Sequence, residues 1–179
     1  TKCEYNQCFR SSLKEQDNKG NNNNARNLLL NDLRDLGIHY IDSTDSINLN
    51  DFWNNDNPKA HVGITVPNFP NFFIMYGPNT NLAHGGSIVF HGECQIRYIL
   101  GCIDLLLEKN HKIMDCRQEP FEEYNSNVDT EHSKMVWTHD KVNSWYRNGN
   151  GRVITNSPWR LVDYWNFTKE PKEEDYKFY

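Results

Sequence analysis

The sequence lacks several features that mark common classes of protein. None of its 179 residues belongs to an apolar run of about 18, the length that a membrane-spanning helix needs. Lysine and arginine form no dense stripe and the formal net charge is −5, which argues against nucleic acid as the main partner. No basic segment followed by an apolar core opens the chain, so no secretory signal is visible.

Cysteine is scarce, and its placement is informative. The number is odd, the spacing is wide, and there is no Cys-x-x-Cys pair among Cys3, Cys8, Cys94, Cys102 and Cys116. Secreted disulfide scaffolds usually have an even and dense set of cysteines. The pattern therefore favours reduced thiols, and we expect a cytoplasmic protein.

Common catalytic and nucleotide-binding motifs are also missing. No Gly-x-Gly-x-x-Gly occurs, and the pair Gly149 and Gly151 lacks the third glycine of that fingerprint. The dipeptide Gly86-Ser87 does not lie in a Gly-x-Ser-x-Gly context, which excludes the nucleophile elbow of a serine hydrolase. The sequence therefore identifies no catalytic residue.

A metal site receives little support from the histidines and cysteines. His84, His91 and Cys94 have the spacing H-x6-H-x2-C, which matches no common zinc pattern. His91 and Cys94 could share a helix face, but His84 precedes that helix. We predict no metal site.

Residues 1–37 differ in composition from the rest of the chain. The tract from Gln16 to Asn24 is polar and rich in asparagine, so it cannot bury enough apolar area to offset the entropy of ordering. The leucines that follow have helical spacing and end at Gly37, which predicts a short helix. We divide the chain into a mobile segment, 1–37, and a structured domain, 38–179.

The structured domain is predicted to be α/β. Residues 72–76 are all apolar, which is typical of a parallel strand buried on both faces. Apolar residues at three- and four-residue steps predict a long helix over 87–109 with Ser87 as N-cap. The remaining patterns predict short strands at 38–41, 47–49, 63–67 and 112–115, a helix over 120–135, a β-hairpin of 144–147 and 152–155, further β structure at 158–165 and a frayed tail, 169–179.

The turn between the predicted strand and long helix is the first candidate site. Ligands in open α/β sheets bind at the carboxyl ends of strands, and a helix N-terminus attracts anions. Gly85 and Gly86 would let a planar ligand approach the backbone closely. Glycines are also common in loops that simply end a strand and begin a helix. A ligand site and a purely structural turn therefore both stay open.

A cluster of aromatic residues near the C-terminus is the second candidate. It comprises Trp137, Trp145, Tyr146, Trp159, Tyr164 and Trp165. Such residues usually form core or interface contacts, and composition alone favours that interpretation. The alternative is a pocket for an aromatic or nicotinamide ring.

Several strings resemble the C-terminal part of FAD-dependent monooxygenases of the Baeyer–Villiger type, in particular the 4-hydroxyacetophenone monooxygenase-like group. They are Gly63-Ile64-Thr65-Val66-Pro67-Asn68-Phe69-Pro70-Asn71-Phe72-Phe73, Tyr76-Gly77-Pro78-Asn79-Thr80-Asn81, His84-Gly85-Gly86-Ser87-Ile88, Glu93-Cys94-Gln95, Ser144-Trp145-Tyr146-Arg147 and Val162-Asp163-Tyr164-Trp165. The resemblance covers about residues 47–167 and excludes the first 37.

This resemblance implies the C-terminal fragment of an FAD/NAD(P)-binding Rossmann-like fold. Such enzymes use FAD, NADPH and O2 to insert one oxygen atom into a ketone or to oxygenate a soft heteroatom. By resemblance, Tyr146 and Trp159 belong to the substrate cavity. The cofactor-binding residues implied in the same way are Gly77, Pro78, Asn79, Asn81, Gly85, Gly86, Ser87 and Trp145.

The family's two nucleotide fingerprints are absent from the sequence. We therefore expect the chain to be the C-terminal piece of a larger enzyme, to require the missing N-terminal part and to be inactive alone. A different class of function stays open, in which the chain is a non-catalytic remnant of the flavoprotein fold that acts as a protein-interaction module.

Overall fold

The computed structural model describes residues 48–179 except His84, Asp140 and Asn143, and everything predicted for residues 1–47 lies outside the described residues. None of the described helices is both long and apolar enough to cross a membrane. The elements in chain order are α1 (Leu49–Phe52), α2 (Ile88–Glu108), β1 (Met114–Cys116), α3 (Gln118–His132), a 3₁₀ turn (Val136–Thr138), α4 (Leu161–Phe167), a second 3₁₀ turn (Glu173–Asp175) and β2 (Tyr176–Phe178).

The long helix α2 is confirmed almost to the residue. Ser87 is its N-cap, because the Ser87 hydroxyl accepts a hydrogen bond from the amide of Phe90 at 3.3 Å. One side of α2 is buried against the rest of the fold, and Tyr98 and Cys102 lie at its centre. Helix α3 starts two residues earlier than the predicted 120 and ends at His132.

The prediction that residues 169–179 fray is wrong. Strand β2 pairs antiparallel with β1, with Met114 opposite Phe178 and Cys116 opposite Tyr176. The Tyr176 hydroxyl lies 2.8 Å from that of Tyr98 on α2, so the pairing also anchors the tail in the core. The charged composition of the tail concealed this strand, because the strand has three residues and only Tyr176 among them is buried.

The predicted parallel strand over 72–76 is also absent. The segment has no ladder partner among the described residues. Its amides bond to scattered acceptors instead: Phe72 to the carbonyl of Phe69 at 3.3 Å, Ile74 to that of Ile64 at 2.8 Å, and Tyr76 to the Gln95 side chain at 2.9 Å. Asn71 and Tyr76 at its ends have positive φ angles of 54° and 53°, which limits the extended stretch to four residues. Only Phe73 in it is fully buried.

Three further β predictions fail in the described part of the chain. Residues 61–65 form a turn closed by a bridge between His61 and Thr65, where a strand over 63–67 was expected. Residues 161–167 are helix α4, although aromatic and β-branched residues such as Val162 favour strands. Leu49, expected in a strand, begins α1 behind the N-cap Asn48.

The predicted hairpin is reduced to a single bridge, between Arg147 and Val153. Its turn is closed by the amide of Asn148 bonding to the carbonyl of Arg152 at 2.9 Å. Among the turn residues only Gly151 has a positive φ, so the Asn148-Gly149 pair does not form the predicted two-residue turn.

Two glycines let the backbone cross itself at close range. A Cβ on Gly77 would lie 2.3 Å from the carbonyl oxygen of Gly63, and a Cβ on Gly63 would lie 2.2 Å from Cγ2 of Thr80. Gly63 also has a φ of 74°. The start of the candidate turn is therefore held against residues 60–66, which are buried.

We expect Gly77→Ala to destabilise the protein by about 2–3 kcal/mol, because the new methyl group meets backbone that cannot yield. Urea unfolding followed by far-UV circular dichroism measures this. Gly92→Ala is the matched control: the nearest atom to its new Cβ is the Met75 methyl group at 4.0 Å, and alanine should stabilise α2 by about 0.5–1 kcal/mol. If the two substitutions changed the free energy of unfolding equally, the close backbone contact between Gly77 and Gly63 would be contradicted.

Candidate functional site

The turn from Gly77 to Ser87 lies beside the segment that follows the hairpin. The amide of Asn79 bonds to the carbonyl of Ile154 at 3.1 Å, and that of Asn81 bonds to Thr155 at 2.9 Å. Asn81 and Asn156 form a parallel bridge. The structure therefore brings the two sequence candidates, the glycine turn and the aromatic segment, next to each other.

Asn79 supports this arrangement from inside. Its side chain is 1% exposed, and its amide nitrogen donates to the carbonyl oxygens of Val153 at 2.9 Å and Asn156 at 3.2 Å. Its amide oxygen accepts from the Arg152 guanidinium at 3.3 Å. With a φ of 58°, Asn79 occupies a conformation that asparagine tolerates better than most residues. Each of these hydrogen bonds joins the Asn79 side chain to another protein group, so the side chain holds the turn in position.

Arg152 extends the network to two other parts of the fold. Its guanidinium bonds to the Asp129 carboxylate on α3 at 2.8 Å and to the carbonyl of Pro58 at 3.0 Å. The sequence analysis identified neither Arg152 nor Asp129 as part of a site. No local pattern joins positions so far apart in the chain, and an arginine after a turn is usually a solvated surface residue.

His132 completes the network as a neutral imidazole. Its Nδ1 accepts the indole N–H of Trp137 at 2.9 Å, so the proton must be on Nε2, which donates to the carbonyl of Asn156 at 3.0 Å. Burial lowers the pKa of His132, which agrees with the neutral form.

The glycines at the end of the turn face open space. Gly85 and Gly86 are exposed, with φ angles of 98° and 120°. A Cβ on Gly85 would meet no atom within 4 Å, whereas one on Gly86 would lie 2.9 Å from Leu161 Cδ1. Ile88 and Val89 then begin α2, and their amides have no acceptor inside the helix. The backbone here can accept a flat ligand with hydrogen-bond acceptors along one edge.

The aromatic residues divide into two groups. Trp159 is half-buried: it donates its indole N–H to the Tyr124 hydroxyl at 3.1 Å and packs on Phe167 with ring centroids 5.1 Å apart. Trp145 is 71% exposed and lies on Tyr146 with centroids 4.7 Å apart. Among the six aromatic residues named from the sequence, Trp145 is the exposed one, and its ring is accessible to a ligand.

Pro78 and the side chain of Asn81 lie within the turn. Asn81 donates to the Asn156 side chain at 2.8 Å and accepts from the Tyr76 hydroxyl at 2.5 Å. Tyr76 is 42% exposed. Pro78 is half-buried, and its carbonyl oxygen would lie 3.2 Å from a Cβ on Gly63.

His91 is the most unusual polar side chain near the site. It is fully buried in the second turn of α2, and neither ring nitrogen has a hydrogen-bond partner among the described residues. The ring stacks on Tyr164 with centroids 4.2 Å apart. Burial lowers its pKa to about 4. In the described part of the chain, no three histidine, cysteine or acidic side chains are placed to hold a metal ion.

The buried His91 should make the folded state sensitive to acid. An unfolded histidine binds a proton below about pH 6.5, whereas folded His91 binds one only near pH 4. The free energy of unfolding should therefore fall as the pH drops from about 6.5 to 4. The variant His91→Phe keeps a ring stacked on Tyr164 but has no group to protonate. Its free energy of unfolding at pH 5 should therefore exceed that of the wild type by about 2 kcal/mol.

Urea unfolding between pH 4 and 8 measures this difference. The two proteins should have parallel profiles above pH 7, which serves as the internal control, and should diverge below it. Parallel profiles down to pH 4 would show that His91 is protonated in the folded state as readily as in the unfolded one.

The sequence is similar to a portion of several known monooxygenases. The chain is 45% identical over 127 residues to the uncharacterized monooxygenase y4iD of Sinorhizobium fredii, which is 71% of this chain and 19% of that protein. It is 33% identical over 121 residues to a Baeyer–Villiger monooxygenase of Pseudomonas aeruginosa, covering 65% of this chain and 23% of the relative. The chain thus spans about one fifth of the length of these relatives. No protein-family model matches it.

The fold has counterparts among solved structures. The monooxygenase OTEMO in complex with FAD and NADP superposes with a TM-score of 0.63 over 82% of this chain and 27% of its own, at 19% identity. At that identity the likeness concerns the fold alone. The resemblance that the motifs indicated is confirmed: the chain is similar to one portion of much larger flavin-containing monooxygenases.

Proposed function

We propose that the chain is the C-terminal part of an FAD- and NADPH-dependent monooxygenase, in which the turn from Gly77 to Ser87 contacts the flavin. The open backbone at Gly85, directly before the N-terminus of the 21-residue helix α2, carries this proposal. Identity of 45% to a monooxygenase supports it independently of the geometry.

The residues present fit one edge of a flavin. Gly85 leaves its backbone open, Gly86 lets the chain pass close to Leu161, and the first-turn amides of Ile88 and Val89 offer donors at the positive end of a helix dipole. These groups would bind the acceptor edge of the ring and stabilise negative charge on it. FAD supplies the redox and oxygen chemistry when bound, and this chain orients the ring.

The rest of the turn has a supporting role in this proposal. Gly77 and Pro78 hold the turn against residues 60–66, while the Asn79 and Asn81 side chains bond to protein groups. Ser87 caps α2 and so fixes the direction of the helix. We assign these residues to positioning the flavin-contacting backbone.

We propose that the exposed Trp145 contacts NADPH and that its half-buried neighbour Tyr146 borders the substrate cavity. The exposed fraction of Trp145, 71%, leaves its ring accessible to another aromatic ring. Trp159 fits a cavity role less well, because its N–H and ring are engaged by Tyr124 and Phe167. The substrate would be a small ketone or a soft heteroatom compound, together with O2.

The binding of both cofactor pyrophosphates requires residues that this sequence does not contain. Glycine-rich turns at helix N-termini normally hold those groups, and no Gly-x-Gly-x-x-Gly is present. The same absence favours the second candidate function, a non-catalytic module that binds proteins. Reading the gene upstream of the codon for Thr1 separates them: an open frame that encodes this fingerprint supports the enzyme, and a nearby stop codon supports the module.

The purified 179-residue chain should therefore show no monooxygenase activity and no stoichiometric flavin. Absorbance near the flavin bands after gel filtration with FAD measures binding, and NADPH oxidation with a ketone or a sulfide measures turnover. A full-length cyclohexanone monooxygenase assayed in parallel is the positive control. Stoichiometric flavin with NADPH-dependent oxygenation by this chain alone would contradict the prediction.

A further inference from the structure

The turn between Arg147 and Val153 contains both Asn-Gly pairs of the sequence, Asn148-Gly149 and Asn150-Gly151. Asparagine is a chemically labile residue, and a glycine after it favours spontaneous deamidation. Glycine has this effect because it has no side chain to keep its backbone nitrogen away from the asparagine side chain. The structure gives the two pairs very different surroundings.

Deamidation at such a pair consumes only water. The backbone nitrogen of the glycine attacks the side-chain carbonyl carbon of the asparagine, and the new C–N bond closes a succinimide ring. The side-chain nitrogen leaves as ammonia and takes the proton of the glycine amide. Water then opens the ring at one of its two carbonyl groups, which gives aspartate or isoaspartate, and nothing is oxidised or reduced. The reaction therefore needs a free asparagine side chain and a glycine amide that can release its proton.

Asn148 is held at each group that this reaction uses. The residue is 9% exposed, and its side-chain nitrogen donates to the Asp56 carbonyl at 2.8 Å. Its side-chain oxygen accepts from the amides of Asn150 at 3.2 Å and Arg152 at 2.8 Å. The attacking amide, that of Gly149, donates to the Asp56 carboxylate at 2.7 Å. A carboxylate so close keeps the proton on the amide, because it would repel the negative nitrogen that remains.

Asn150 has no such restraint on its side chain. The residue is exposed, and within the described part of the chain it donates a hydrogen bond through its backbone amide alone, to the Asn148 side chain. The attacking amide, that of Gly151, donates to the backbone carbonyl of Asn148 at 2.9 Å. Its acceptor is therefore a neutral carbonyl, where the amide of Gly149 meets a carboxylate.

We infer that Asn150 is a site of spontaneous deamidation in the folded protein and that Asn148 is protected from the same reaction. The two residues share the chemistry of their neighbours in sequence, so the hydrogen bonds of the turn and the carboxylate of Asp56 select between them.

The modification would alter the segment that carries the exposed Trp145. A new carboxylate arises next to Gly151, whose carbonyl accepts from the Arg147 guanidinium at 2.9 Å. The same guanidinium donates to the carbonyl of Val142 at 3.3 Å and so joins the turn to the residues before Trp145. The isoaspartate product also adds a methylene group to the backbone of the turn. Charge and geometry therefore change together at the point where Arg147 holds this segment.

The test follows both asparagines in the full 179-residue chain during incubation in mildly alkaline buffer made with isotopically labelled water. Water supplies the new oxygen atom, so the label marks deamidation that occurs during the incubation. Trypsin releases residues 148–152 as one peptide, because Arg147 and Arg152 bound it, and tandem mass spectrometry assigns the label to one asparagine. We expect labelling at Asn150 to be at least about tenfold faster than at Asn148, where several more hydrogen bonds must break.

The same chain unfolded in urea is the control, and there the two asparagines should react at similar rates. Asp56→Ala removes the carboxylate at the Gly149 amide and should raise the rate at Asn148 about fivefold while leaving that at Asn150 unchanged. Circular dichroism checks that this variant is folded.

The incubation lasts until the unfolded sample has reacted measurably at both positions. Equal rates at the two asparagines of the folded chain would overturn the inference, as would an unlabelled Asn150 in that chain. An unchanged rate at Asn148 in Asp56→Ala would refute the protective role of the carboxylate.

Discussion

The buried side chain of Asn79 ties together the parts of the molecule that form the candidate site. Its amide group joins the glycine turn to the residues after the hairpin, and through Arg152 it connects both to Asp129 on α3. A buried amide is stable only when its donors and acceptors are satisfied, so the network specifies one arrangement of these segments. Backbone bonds of Asn79 and Asn81 to residues 154 and 155, together with the bridge of Asn81 and Asn156, hold the first half of the turn in the same place.

The elements that could be predicted from the sequence are those with a local signal. Helix α2 has a cap, a period and a length that require no knowledge of the rest of the fold, and α3 was located for similar reasons. The strand over 72–76 failed because five apolar residues in a row are compatible with any buried segment. Strand β2 was not predicted because its extended conformation depends on pairing with β1, which lies far away in the sequence.

The candidate site came from the resemblance, which pointed to the turn but gave no means of separating accessible residues from buried, supporting ones. That separation depends on burial: Asn79 and Trp159 are engaged internally, whereas Gly85 and Trp145 are open. One local signal was available and was not used. Within the described residues, six of the eight non-glycine positions with positive φ are asparagines. Asn68, Asn71 and Asn79 in the family-like string are among them, so isolated asparagines there mark left-handed turns.

The pairing of β1 with β2 has a consequence for synthesis on the ribosome. Arg117, next to β1, donates its side-chain N–H to the carbonyl of Tyr176, 59 positions later. A nascent chain must therefore carry Met114 and Cys116 without their covering strand while all the intervening residues are translated. Closing so long a loop is slow compared with forming α2. During that interval the edge of β1 lacks its partner, and an unpaired strand edge is prone to pair with other chains.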